Sequence, residues 1–153
     1  MPCAGAKKGH SMTQRHVGDL VRNQKPVKLS PAASVKDACT KMRDHRCGAV
    51  LVVEGEDRLV GIFTGRDAVS RVLAESKDPA KTKLADVMTP NPAAMAKGST
   101  AVDALRLMQD GGFRHVPVVA TGKHVIGIVS RGDFRGLEQA QLDEETGLWE
   151  RIW

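Results

Sequence analysis

Two short stretches of the chain place a carboxylate three residues after a hydroxyl: Thr64-Gly65-Arg66-Asp67 and Ser130-Arg131-Gly132-Asp133. That spacing has two chemistries open to it. The hydroxyl can cap a helix start while the acid reaches back, close to a capping box, although Asp is shorter than the usual Glu. An acid in the first turn also suits the helix dipole, worth about 0.3–1 kcal/mol. Alternatively, the carboxylate can accept two hydrogen bonds from a vicinal diol, while an arginine near a helix N-terminus attracts an anion. Arg66 and Arg131 supply the cation, and a glycine in each motif admits a bulky partner. Carboxylate, hydroxyl and anion-seeking cation together describe a ribonucleotide pocket.

The elements that would position these turns repeat. A shift of 66 residues lays SVKDACTKMRDHRCGAVLVV (34–53) over TAVDALRLMQDGGFRHVPVV (100–119) without a gap. Upstream, GDLV (18–21) matches ADVM (85–88) after a one-residue slip. Each copy opens with an extended piece, KPVKLS or NPAAMA. A helix follows, with apolar positions Val35, Ala38 and Met42, or Ala101, Ala104, Leu105 and Met108. Then come a β-rich run (AVLVV or VPVVA), a turn, and a second strand (LVGIF or VIGIV) that leads straight into the motif. A closing helix is expected to pack through Val69, Val72 and Leu73, or through Phe134 and Leu137. The unit is β-α-β-β-α, and one copy of roughly 60 residues is too small to bury much surface alone. Two copies related by a pseudo-dyad would share a core.

With GIFTGRDAVSRV, DPAKTKLADVMTPNP, GGFRHVPVV and GIVSRGDF in this order, the chain resembles a tandem pair of CBS domains, a Bateman module of the stand-alone bacterial type. The resemblance implies an α/β (α+β) fold of two β-α-β-β-α repeats, pseudo-two-fold related, with sheets packed face to face. The expected division is a flexible basic segment at 1–16, repeats at 17–78 and 79–140, and an amphipathic tail at 141–153. It further implies a regulatory sensor that binds AMP, ADP, ATP or NAD between the repeats and signals by conformational or dimer rearrangement. Asp67 with Thr64, and Asp133 with Ser130, would hold ribose hydroxyls, with Arg66 and Arg131 near the phosphates. The opposite repeat would wall each site. Asp133 should face Lys28, Ala49 and Val50, and Asp67 should face Ala94, Arg114, His115 and Val116. Lys28 and Ala94 stand where the family often has threonine, so the two sites are expected to differ.

Hydrophobic residues make up 41% of the 153, enough for a proper core. The net charge of +5 is concentrated in residues 1–28, where six basic residues face Asp19 alone. Weak nucleic-acid binding through that segment is one alternative function. A ligand-free dimerisation or scaffold module, its motifs merely capping helices, is another. Cys3, Cys39 and Cys47 are odd in number and lack CxxC spacing, which argues against a disulfide framework or a zinc site. No HExxH, G-x-S-x-G or Walker motif occurs, so no catalytic residues and no required cofactor are expected. No apolar run approaches the ~20 residues of a membrane span. The N-terminus has no secretory apolar segment, and a cytoplasmic location is expected. That expectation weakens a reading of Arg131-Gly132-Asp133 as an adhesion tripeptide. Leu148, Trp149, Ile152 and Trp153 are expected on one face of the tail, folded on the core or docked in a homodimer. An effector protein would sense the state of the module.

Overall fold

The structure, a computed structural model, describes residues 15–134 together with Gly136, Ala140 and Leu142. The first repeat comprises α1 (Val17–Leu20), β1 (Lys28–Leu29), α2 (Val35–His45), β2 (Ala49–Glu54), β3 (Arg58–Thr64) and α3 (Gly65–Asp67), which continues as a π-helix over Ala68–Leu73. The second comprises α4 (Leu84–Val87), β4 (Thr89–Pro90), β5 (Met95–Ala96), α5 (Ala101–Gly111), β6 (His115–Ala120) and β7 (His124–Ser130), followed by a 3₁₀ turn over Arg131–Asp133.

The two long helices start and stop alike. Ser34 and Thr100 accept the backbone N–H of Asp37 and Asp103 at 3.1 Å, capping α2 and α5. Both end in a left-handed residue, Gly112 in the second repeat (φ 71°) and Arg46 in the first (φ 53°). A side chain strains that conformation and glycine does not. Replacing Arg46 by glycine is therefore expected to raise stability by up to about 1 kcal/mol, or 2–4 °C in a thermal melt. An unchanged or lower melting temperature would contradict the strain.

Strands β2 and β3, like β6 and β7, form antiparallel hairpins, with β1 and β5 added in parallel. Pairing jumps from Val52↔Gly61 to Val53↔Leu59, leaving Val60 as a bulge; Ile126 does the same 66 residues on. A bulge flips the facing of later side chains. Val50, Val52 and Phe63 accordingly meet the helices, while Ala49, Leu51, Leu59 and Ile62 turn to the other repeat and pack with Val125. The sheets also join edge to edge at one pair, Arg58↔His124, making one seven-stranded sheet ordered β1-β2-β3-β7-β6-β5 with β4 laid on β3. His124 Nδ1 donates to the Glu56 carbonyl at 3.0 Å beside that junction.

The lead-in helices are exchanged between the cores. Val17 and Val21 of the first repeat are buried with Met108, Val116 and Val129 of the second. Leu84 and Val87 are buried with Val35, Val50 and Phe63 of the first. The exchange explains the glycine of each Gly-Ile pair: a Cβ at Gly61 would strike Met88, and one at Gly127 would strike Val21. These are the last residues of ADVM and GDLV, so the backbone is bare where the crossing segment lies on it.

Two expectations need correction. Val69 and Leu73 do not pack inward; they are 60% and 64% exposed, and only Val72 reaches the core. The reason is the winding. A π turn closes hydrogen bonds five residues apart, as from Ala74 N to Val69 O at 2.9 Å, and spreads apolar residues that an α-helix would stack on one side. In the second repeat the backbone is extended at Phe134 (φ −92°, ψ 141°), which is half-buried against the second core. Leu137 lies outside the described residues, as do Leu148, Trp149, Ile152, Trp153 and residues 1–14.

Candidate functional site

Strand β3 ends on Thr64, whose extended backbone (φ −117°, ψ 167°) turns directly into α3. Asp67 Oδ2 accepts from the Thr64 N–H at 3.0 Å and from its hydroxyl at 3.1 Å, and Thr64 Oγ1 accepts the Asp67 N–H at 3.2 Å. The capping box is complete despite the short acid. Asp67 is only 9% exposed, and its second oxygen lies 3.6 Å from Arg71 Nε. Arg71 in turn donates to the carbonyls of Val87 and Met88 at 3.2 and 3.0 Å, tying the motif to the end of α4. The sequence carried one clue to Arg71, its position four residues after the acid.

A cleft of about 730 Å³ opens beside this turn. It is lined by Gly48, Ile62, Thr64, Gly65, Arg66 and Asp67 of the first repeat and by Thr89, Pro92, Ala93, Gly112, Phe113, Arg114 and His115 of the second. Five of the sequence candidates therefore share one cleft: Thr64, Arg66, Asp67, Arg114 and His115. Thr89, Pro92, Gly112 and Phe113 were not foreseen; they come from the opposite repeat, and no local pattern marks them. Arg66 donates to the Gly112 carbonyl at 3.3 Å, linking the two repeats within the lining.

The other candidates lie outside that lining. Val50 and Val116 are fully buried and Ala49 nearly so, so their side chains face the core. Ala94 is exposed beside Ala93. Lys28 bonds Asp57 at 2.7 Å across the sheet, which holds the Asp57 carboxyl below its usual range and neutralises the cation. Ser130 and Asp133 repeat the capping box, with Asp133 Oδ2 accepting from Ser130 N at 2.7 Å and Oγ at 3.3 Å. Here the acid and Arg131 are exposed, and Arg15 donates to the Asp133 carbonyl at 3.3 Å.

His115 bridges the two motifs. A Cβ on Gly48 would lie 3.2 Å from its Nε2, and it pairs with Ser130 across the ladder. Burial pushes its pKa down; Asp133 pulls it up in part, and Arg114 presses it further down. A histidine lowered on folding binds its proton more readily unfolded. Its contribution to stability is thus whole above the unfolded pKa of about 6.5 and is lost as pH falls from there toward the folded value. Melts from pH 7.5 to 5 are expected to fall more steeply for the wild type than for His115→Gln; parallel curves would remove His115 from the account.

Among the described residues, no helix is long and apolar enough to cross a membrane, and no three His, Cys, Asp or Glu side chains gather as a metal site. The family model for the CBS domain matches twice, at residues 17–74 and 84–138. The CBS domain-containing protein CBSCBSPB2 of Arabidopsis thaliana is 39% identical over 113 residues, which is 70% of this chain but 21% of the plant protein. The chain thus spans about a fifth of that relative. A CBS-domain containing protein from Agrobacterium tumefaciens, known as a crystal structure, is 31% identical with a TM-score of 0.70, covering 82% of this chain and 98% of its own. A CBS domain protein from Pyrobaculum aerophilum, solved in complex with AMP, shares the fold at a TM-score of 0.76 and 21% identity, over 84% and 98% of the two chains.

Proposed function

The chain belongs to the CBS domain family, and from that premise we propose that it is a regulatory module holding an adenine nucleotide, AMP, ADP, ATP or NAD, between its repeats. The carrying observation is the cleft, whose 730 Å³ falls within the range of small-molecule sites. Asp67 would accept the ribose hydroxyls beside Thr64, Phe113 would offer a face to the ring, and Arg66 and Arg114 would hold phosphate. AMP in the Pyrobaculum protein supports an adenosine-derived ligand. Ser130, Arg131 and Asp133, with Lys28 and the backbone at Ala49 and Val50, would form a weaker twin, because Asp57 already engages Lys28. Ala94 and the backbone at Val116 would complete the first site's far wall. Filling the cleft would shift the angle between repeats or the arrangement of a homodimer, through the ligand's differential affinity for the two states. An effector protein would sense that shift, and no catalysis is proposed.

One observation favours a second reading. Both capping boxes are closed on themselves, as they would be in a ligand-free dimerisation or scaffold module. Thermal melts against AMP, ADP, ATP, NAD, NADH and S-adenosylmethionine separate the two. A nucleotide at about 100 times its Kd adds about 2.7 kcal/mol, several degrees for a chain of this size. If no compound moves the melt, the scaffold reading replaces the nucleotide one.

A further inference from the structure

We infer that Arg66 is a latch between the repeats that a phosphate-bearing ligand releases, and that it sets the cleft's preference for anionic over neutral or cationic adenosine derivatives. The inference rests on the proposed nucleotide site and concerns what that site reads. Arg66 belongs to the first turn of α3, yet its guanidinium donates at 3.3 Å to the carbonyl of Gly112, 46 residues away, at the left-handed end of α5. Both residues line the cleft, and the bond joins the two repeats there.

Its acceptor is a neutral carbonyl and its arginine is exposed, so it is easily exchanged. A phosphate offers two charged oxygens to the same fork, and such charge-assisted bonds are roughly twice as strong as neutral ones. The surrounding charge agrees. Arg66 and Arg114 line the cleft against Asp67, whose carboxylate already faces Arg71. An anion entering the cleft therefore draws Arg66 off Gly112 and undoes a link between the repeats. Neutral adenosine has nothing to draw it with, and a sulfonium is repelled.

The test is calorimetric titration of wild type, Arg66→Ala and Arg66→Lys with AMP and with adenosine. Wild type is expected to prefer AMP by about ten- to a hundredfold, the range of one charged hydrogen bond. In Arg66→Ala that preference falls by about tenfold while adenosine affinity holds within about twofold. Arg66→Lys, with charge but no fork, falls between. The Arg66 Nε–H resonance, assigned by its loss in Arg66→Ala, moves on adding AMP and not on adding adenosine. An undiminished AMP preference in Arg66→Ala, equal losses for both ligands, or a resonance that adenosine moves equally overturns the latch and leaves the nucleotide site standing. If wild type binds neither compound, the nucleotide reading falls and the latch falls with it.

Discussion

In an Asp67→Ala variant the melting temperature is expected to stop responding to adenine nucleotides, while the wild type is expected to gain several degrees at saturation. Asp67 lies almost fully buried in the cleft with one oxygen against Arg71 and the other against Thr64. A diol bound there would hydrogen-bond to an already oriented carboxylate, and bonds to charged groups are worth about 1.5–3 kcal/mol each. Two of them lost would remove most of the affinity of a small ligand. The same substitution deletes the capping box, so the ligand-free protein also melts lower, by about 1 kcal/mol. The two effects separate because one shifts the baseline and the other shifts the response. Asp67→Asn keeps a capping oxygen, loses the charge, and is expected to retain the baseline better than the response. A nucleotide shift of wild-type size in Asp67→Ala would remove this residue from the site, and the same result in Asp133→Ala would remove the twin.

The second large effect is structural. Phe63 is fully buried among Val35, Met42, Val50, Val52, Val72, Leu84 and Val87, where β3, the lead-in helix α4 and the helix layer converge. Phe63→Ala leaves a cavity that the surrounding ladder cannot close, at a cost of about 3–5 kcal/mol. That is a large share of the 5–15 kcal/mol that typically holds a domain together. Equilibrium urea unfolding should show a lower midpoint with an unchanged slope. Phe63 is bonded to Thr64, so nucleotide affinity should weaken as well. A loss below about 1 kcal/mol would mean that the core repacks around the gap.

Much of this architecture was legible because the chain states it twice. The 66-residue echo fixed equivalent long helices, hairpins and motifs, and the GDLV–ADVM match marked two equivalent segments without showing that they are helices. What could not be read was where those helices go. Four-residue helices carry too short a period to show a partner, and nothing local says that Val17 belongs with Met108 and Leu84 with Phe63. The motif turns were legible as chemistry, since hydroxyl, cation and acid are adjacent in the chain. Phe113 and Pro92 were not, because they reach the cleft from the opposite repeat. Val69 and Leu73 misled for a different reason: their spacing suits an α-helix, and the chain winds wider there.

The exchange of lead-in helices also governs how the molecule comes apart. Removing either half would strip Val17 and Val21, or Leu84 and Val87, from the partner's interior and expose both to water at once. Heat therefore cannot undo one half and spare the other, and the pair is bound to melt in a single cooperative step. A small molecule seated at one motif would then steady residues a whole repeat away.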